Sequence, residues 1–109
     1  MNDKVIVIDL GKYVGPIFTG RSRGEAVRKD FDLNKLDNIP NVSFIVKIPP
    51  DTFALNSSFF LGLFGPSVRT LGSRDRFLTR FKFQNPDHIS EFIESGVERA
   101  LQERQSLIP

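Results

Sequence analysis

Three stretches of the chain have the hydrophobic pattern of β-strands. Residues 4–10 and residues 42–48 are nearly continuous runs of β-branched and other apolar residues, and the first run is typical of a strand buried on both faces. Residues 76–83 alternate instead, so they predict a third strand with one buried face and one largely wet face. Pro49 and Pro50 follow the second run, and because proline lacks an N–H group, that strand is predicted to end there.

A helix is predicted between the first two strands. Ser22 and Glu25 have the spacing of a capping box, in which the hydroxyl accepts from a backbone N–H and the carboxylate reaches back. Apolar residues at roughly helical spacing continue from there, so we place this helix over residues 23–36. The preceding residues 11–24 are rich in glycine and contain Pro16, which predicts a loop.

Two further helices follow. Residues 56–72 carry two serines, then a dense apolar run, and end on glycine, so they predict a short buried helix. Pro66 predicts a kink near Gly65 or a second helical segment that starts at Pro66 itself. The last helix is predicted to start in residues 85–87, Asn-Pro-Asp, and its apolar residues keep helical spacing up to about residue 101.

The elements therefore alternate as strand, helix, strand, helix, strand, helix. This order predicts an α/β fold with right-handed crossovers and a mostly parallel sheet. If the first two strands are parallel, the loops that leave them, residues 11–24 and residues 49–58, lie side by side at the carboxyl edge of the sheet. Ligands usually bind at that edge in α/β proteins, so we expect a functional site there.

Composition changes this picture only slightly. The chain has 109 residues, which is enough for one domain over residues 1–109 with one core, and phenylalanine supplies much of its bulk with 11 copies. No cysteine is present, so disulfides and thiolate chemistry are excluded. The sequence shows neither a signal peptide nor a long apolar segment, so a cytoplasmic protein without a membrane partner is expected. A net charge of +2 does not by itself argue for nucleic acid.

Several short motifs occur in a fixed order along residues 11–72. They are Gly11-Lys12-Tyr13, Gly15-Pro16, Gly24 with Val27-Arg28, Ser57-Ser58-Phe59, Phe64-Gly65 and Val68-Arg69. In this order they resemble the motifs of a STAS-like domain family of unknown function, a set of small bacterial and phage-borne domains. The resemblance implies a small STAS-like βαβαβα domain with three to four mostly parallel or mixed strands and helices packed on the sheet.

The same resemblance implies a class of function. By analogy with true STAS domains, it implies a non-catalytic regulatory module that binds a protein partner, such as a kinase-like ATPase. In those domains a kinase phosphorylates a hydroxyl at the matching helix start, which here is Ser57 or Ser58. The Gly-Lys-Tyr motif adds Lys12 and Tyr13 to the partner-binding edge.

Chemistry on the same edge points to anions. Serines at a helix start lie where backbone N–H groups and the helix dipole favour negative charge, although plain helix capping is the alternative. Residues 19–24 combine glycines, hydroxyls and arginines, so they fit either a cradle for a phosphoryl group or a mobile, solvated loop. The predicted partner-binding residues are Lys12, Tyr13, Thr19, Arg21, Arg23, Ser57 and Ser58.

A basic cluster offers a second function, nucleic-acid binding. Arg80 and Lys82 fall on one face of the predicted third strand, opposite its aromatic residues, so the strand lacks an interleaved stacking platform. A solvated basic face balanced by the acidic last helix is the alternative. The candidate nucleic-acid residues are Arg74, Arg76, Arg80 and Lys82.

Other sites are weaker. The apolar width of the central helix exceeds the stripe that one sheet buries, so either neighbouring helices cover the rest or a partner or second copy does. His88 has no companion histidine or cysteine, so no metal site is predicted. The acidic pair that the STAS-like family often has in its central helix falls on Leu61 and Gly62. No catalytic residue and no cofactor is predicted; an enzyme acting on a phosphorylated small molecule beside Arg21 and Arg23 is the remaining alternative.

Overall fold

The two continuous apolar runs form neighbouring parallel strands in a computed structural model, which describes residues 4–13 and 15–106. The elements are, in chain order, β1 (Lys4–Asp9), a 3₁₀ turn (Leu10–Lys12), β2 (Ile17–Phe18), α1 (Arg21–Asp30), α2 (Leu33–Leu36), β3 (Val42–Lys47), β4 (Ala54–Leu55), α3 (Ser57–Leu71), α4 (Arg74–Arg80), β5 (Phe81–Gln84), a second 3₁₀ turn (Asp87–Ile89) and α5 (Ser90–Ser106). The prediction of an α/β fold is confirmed.

The main sheet has the strand order β1-β3-β5, and both of its pairings are parallel. Ile6 pairs with Phe44 in register, and Phe44 in turn pairs with Phe81. A small second sheet joins β2 to β4, with Phe18 opposite Leu55, and this pairing is parallel as well. Parallel pairing of the first two strands is therefore confirmed, and it brings the loops that follow them to the same edge.

The strand order leaves one face of the main sheet without helices. Right-handed crossovers that always step in the same direction place their helices on the same side, and only a reversal of direction covers both sides. Phe64 of α3 packs on the face that the helices cover, with its ring centroid 5.6 Å from that of Phe81 and 5.4 Å from that of Phe83. On the opposite face, Val5 is 55% exposed and Val7 is 44% exposed. The prediction that β1 is buried on both faces is therefore wrong.

The predicted strand over residues 76–83 is mostly helix. Ser73 caps α4 by accepting a hydrogen bond from the Arg76 N–H group at 3.2 Å, and Asp75 lies in the first turn, where a carboxylate stabilises a helix. The alternating phenylalanines are misleading because Phe77 and Phe81, four positions apart, both point into the core. Arg80 ends the helix, so it does not share a strand face with Lys82, and that part of the nucleic-acid hypothesis is wrong.

The first helix starts earlier than its sequence indicates. Gly20 is the N-cap of α1, with a φ angle of 95° that an L side chain rarely adopts. Ser22 therefore lies inside the first turn, and the predicted capping box with Glu25 is wrong. Asp32 has a positive φ of 56° and separates α1 from the short α2, so the predicted continuous helix over residues 23–36 is two helices.

The central helix α3 is continuous across Pro66, so the predicted second segment starting there is wrong. It ends at Gly72, whose φ angle is 83°, as the sequence predicts. Its wide apolar face is buried inside the fold by α1, α5 and the sheet, including Phe59, Phe60, Leu61, Leu63 and Phe64. The surface available to a partner therefore lies elsewhere.

Candidate functional site

The loops after β1 and β3 are joined by backbone hydrogen bonds. The Phe53 N–H group donates to the Pro16 carbonyl at 2.8 Å, and the Asn56 N–H group donates to the Phe18 carbonyl at 2.9 Å. These bonds flank the short β2–β4 pair, after which each chain segment enters a helix. The starts of α1 and α3 are therefore held beside each other, as the sequence predicts for the two loops.

Side chains complete this junction. The Gly20 N–H group donates to the Ser58 hydroxyl at 3.2 Å, and the Asn56 side-chain amide donates to the Thr19 hydroxyl at 2.8 Å. We call residues 19–21 and 56–58 the helix-start rim. The rim unites four of the predicted site residues, which are Thr19, Arg21, Ser57 and Ser58.

Glycines allow the two helices to approach this closely. A Cβ atom on Gly24 would lie 2.2 Å from the carbonyl oxygen of Phe59, and one on Gly62 would lie 2.2 Å from the carbonyl oxygen of Arg21. The contact is thus reciprocal, backbone against backbone, within the first two turns of both helices. Sequence reasoning missed this role of the glycines and assigned Gly24 to a loop.

The electrostatics of the rim favour anions. The first intrahelical hydrogen bonds run from Gly24 N–H to the Gly20 carbonyl and from Phe60 N–H to the Asn56 carbonyl, so the N–H groups before them lie outside both helical ladders. In the described part of the chain, the N-cap Gly20 has no side chain, the Asn56 side chain does not cap α3, and neither first turn holds an acidic residue. Two positive helix ends therefore converge without a carboxylate of their own.

Two predicted arginines flank the rim in different ways. Arg21 is 47% exposed at its side chain and forms an ion pair with Glu103 of α5 at 2.8 Å. Arg23 donates to the Ile17 carbonyl at 3.1 Å, and its guanidinium lies 5.2 Å from the centroid of the Phe18 ring. Arg21 is therefore an exchangeable partner for an incoming anion, whereas Arg23 mainly braces β2 against α1.

An open cleft of about 550 Å³ adjoins the rim. Ser57 and Ser58 line one wall and α5 supplies the other, and the full lining is Arg21, Asn56, Ser57, Ser58, Leu61, Phe92, Ser95, Arg99 and Glu103. Ser58 is exposed, while Ser57 is half-buried. The Ser58 hydroxyl is thus both accessible and already in contact with the N-terminus of α1.

Lys12 and Tyr13 lie apart from this cleft. The Tyr13 hydroxyl donates to Asp30 at 2.9 Å, and the ring lines a separate cavity of about 230 Å³. Burial, with help from the Asp30 carboxylate, raises the pKa of Tyr13 to about 12. The Lys12 ammonium lies 5.9 Å from the centroid of the Phe31 ring. The structure therefore separates these two residues from the other predicted site residues.

Two of the four residues of the basic cluster, Arg74 and Arg80, have structural partners. Arg74 donates two hydrogen bonds to Glu94, at 2.7 and 2.6 Å, and these raise the pKa of Arg74 and lower the pKa of Glu94. Arg80 donates to four backbone carbonyls, those of Leu36, Asp37, Ile39 and Val42, at 2.9 to 3.2 Å. Arg76 and Lys82 are exposed.

A buried ionic network lies on the other side of α1. Arg28 donates to Asp37 at 2.8 Å, and both side chains are more than nine-tenths buried. Arg28 also donates to the Leu63 carbonyl and to the Ser67 hydroxyl, each at 2.9 Å. This network fixes α1 and the segment after α2 against α3. The Val27-Arg28 motif was the sequence signal for it, but the pattern alone does not reveal a buried arginine.

Metal and membrane sites find no support in the described residues. His88 is exposed, and its Nε2 atom lies 2.8 Å from the Thr52 carbonyl oxygen. Within residues 4–13 and 15–106, no cluster of three histidine, cysteine, aspartate or glutamate side chains could hold a metal ion. None of the helices described is long and apolar enough to span a bilayer.

Comparison of the chain with protein-family models, with curated proteins and with solved structures found no match.

Proposed function

We propose that this chain is a non-catalytic, STAS-like regulatory module of the cytoplasm that binds a protein partner at the helix-start rim. A phosphoryl group at the rim, carried by Ser58 or Ser57 or by a ligand, controls that binding. The observation that carries the proposal is the hydrogen bond from Gly20 N–H to the Ser58 hydroxyl, because it joins two helix N-termini at one accessible serine.

The charge balance supports a phosphoryl group in particular. A phosphoserine carries about −1.5 to −2 charges and three acceptor oxygens, and such a group is stabilised beside helix N-termini and arginines. At Ser58 it lies next to the N-terminus of α1 as well as that of its own helix. A single helix start provides one favourable dipole, whereas the rim provides two.

Arg21 gives the rim a way to transmit the change. In the structure its guanidinium pairs with Glu103, which also lies 3.3 Å from Arg69 of α3. A phosphate on Ser58 competes with the Glu103 carboxylate for Arg21, since both anions face the same cleft. Loss of the Arg21–Glu103 pair would loosen α5 from α1 and change the surface that a partner meets.

A phosphorylation assay tests the proposal. We expect a kinase-like ATPase encoded beside the gene to add one phosphate to the intact protein, and peptide mapping to place it on Ser58 or Ser57. Variants Ser58→Ala and Ser57→Ala identify the site, and Ser95→Ala, on the α5 wall of the same cleft, is the matched control. No phosphate on either serine with any candidate kinase, together with no phosphate-dependent change in partner binding, would count against the proposal.

Nucleic-acid binding is the second hypothesis, and its support is the exposure of Arg76 and Lys82. A salt titration of binding to random DNA and RNA tests it, because each phosphate contact steepens the loss of affinity with salt. A steep slope that Arg76→Ala and Lys82→Ala reduce supports this function. Affinity that is independent of salt, or no binding at all, excludes it.

A further inference from the structure

The two edges of the main sheet are protected to different degrees. The β5 edge has four residues, carries Lys82, and is followed closely by Pro86, all features that blunt an edge strand. The β1 edge is longer, with six residues; its one lysine, Lys4, stands at its start, and no proline follows it closely. Among the described residues β1 pairs with β3 only, so alternate backbone N–H and C=O groups face outward along its whole length.

The face beside the β1 edge is also uncovered. Val5 and Val7 are exposed, and Val7 pairs in register with Ile45 on the same face of β3. Parallel sheets almost always have both faces covered, because their strands are rich in apolar residues on both sides. The same face carries Ser43, Lys47 and Lys82, so its apolar part lies beside the β1 edge. Exposed aliphatic side chains next to an unpaired edge are typical of a surface that another chain covers.

We propose that β1 pairs antiparallel with β1 of a second copy of this chain, so that two three-stranded sheets form one continuous sheet across a twofold axis. The unpaired backbone groups determine that the occupant is a strand, since only a strand satisfies a row of N–H and C=O groups. A second copy offers the same unpaired row, and an isologous contact satisfies both rows at once.

The charges of β1 favour self-pairing in the antiparallel direction. The strand begins with Lys4 and ends with Asp9. Parallel pairing would place lysine beside lysine and aspartate beside aspartate. Antiparallel pairing moves the two like charges to opposite ends of the interface; Lys4 and Asp9 lie on opposite faces of the strand, so they form no direct cross-strand pair. The charges of the strand therefore favour the antiparallel direction over the parallel one.

The pairing also enlarges the apolar face. Directly opposed residues of an antiparallel pair lie on the same face, so registers centred on Ile6 or on Val7 keep both open faces on one side. In these registers Val7 of one copy lies opposite Val5 or Val7 of the other. The valines of the two copies then pack across the junction, and the interface gains side-chain contacts in addition to backbone hydrogen bonds.

Sedimentation equilibrium over a wide range of protein concentration tests this proposal. We expect the mass to rise from 12.4 kDa toward twice that value as concentration increases. Val7→Lys should weaken association by about tenfold or more, because in either register it places a charge within the valine contact of both copies. Gln84→Lys, at the β5 edge, is the matched control and should associate like the unaltered chain.

A second variant and a hydrogen-exchange measurement complete the test. Val7→Thr keeps a β-branched residue in the strand, so it should retain most of the association, and thermal unfolding confirms that each variant is folded. Hydrogen exchange of the β1 amides should slow as the dimer forms, while exchange in β5 stays unchanged. A chain that remains at 12.4 kDa at the highest concentration overturns the proposal. So does a dimer that Val7→Lys leaves intact, because its interface then lies elsewhere.

Discussion

Two regions of this molecule are candidate anion sites, and they differ in what their arginines already bind. In α4, Arg80 donates to four backbone carbonyls and Arg74 forms a two-bond pair with Glu94. At the helix-start rim, Arg21 has one exposed ion pair, and the backbone itself supplies two converging helix ends. Two of the three α4 arginines are thus bound to groups of the same chain, and the third, Arg76, is exposed.

The comparison shows that an anion site cannot be located by counting basic residues. An arginine that holds carbonyls, as Arg80 does, is part of the fold, and its charge is spent on groups of the same chain. Helix N-termini carry no formal charge, so a count of basic residues does not include them. They nevertheless attract anions where no carboxylate neutralises their dipole. The following predictions test whether the rim and α4 differ in this way.

The largest effect is expected where the rim is held together. Gly62→Ala places a Cβ atom 2.2 Å from the Arg21 carbonyl oxygen, so α1 and α3 must separate. We expect a loss of about 3 kcal/mol or more in the free energy of unfolding, measured by urea denaturation. Gly15→Ala is the control, because its Cβ atom would meet only the Phe18 ring, at an ordinary contact distance of 3.6 Å. Equal stability of the two variants would show that the helices are not in backbone contact.

Removal of Arg80 from α4 should lower the stability of the fold without changing phosphate binding at the helix-start rim. Arg80→Ala removes the guanidinium donors from four carbonyls, so we expect a loss of about 2–3 kcal/mol in the free energy of unfolding. Arg76→Ala, an exposed neighbour in the same helix, should leave stability unchanged. If Arg80→Ala proves neutral in denaturation while nucleic-acid binding falls, the cluster is a binding surface after all.

A smaller effect is expected at the serine of the rim. Ser58→Ala removes the acceptor of the Gly20 N–H group, at an expected cost of about 1 kcal/mol in the free energy of unfolding. Ser57→Ala should cost less, since no described hydrogen bond joins the Ser57 hydroxyl to the other loop. Thermal unfolding of both variants under identical conditions makes the comparison. A greater loss of stability for Ser57→Ala would show that Ser57, and not Ser58, links the two helices.

The smallest expected effect concerns Tyr13, a predicted site residue outside the rim. Its folded pKa is raised to about 12 from the ordinary value of 10.0, so folding favours the protonated phenol. That stabilisation is complete below pH 10.0 and is lost as the pH rises toward about 12. Because Tyr13 is the one tyrosine and tryptophan is absent, tyrosinate absorbance reports it alone.

The titration midpoint of Tyr13 should therefore fall when urea unfolds the chain. Tyr13→Phe should also make stability less dependent on pH above pH 10.0. Identical midpoints in the folded and unfolded chain would show that Tyr13 is neither buried nor bonded to Asp30. Phosphate should leave this titration unchanged, because Tyr13 and the rim line different cavities.

The sequence predicted what depends on local pattern and strand order. Two apolar runs separated by a helix were enough to predict a parallel pair of strands. Parallel strands in turn place the loop that contains Gly20 beside the loop that leads to Ser58. It failed where tertiary contacts decide: the phenylalanines of residues 76–83 fit a strand period of two and also the helical spacing of Phe77 and Phe81. Ser73 caps a helix that begins at Arg74, so residues 76–80 are helical. The close approach of α1 and α3 at Gly24 and Gly62, and the carbonyl partners of Arg80, involve residues distant in sequence, which no local pattern reports.

The most direct test of the account is a titration of the ¹⁵N-labelled chain with inorganic phosphate at constant ionic strength, followed by NMR. We predict saturable shifts for the amides of residues 20–23 and 57–59, and no saturable shift for those of residues 74–76. Arg21→Ala should weaken the effect and Arg76→Ala should not. Shifts that are confined to α4, or that never saturate at the rim, would contradict the claim that two helix starts form one anion site.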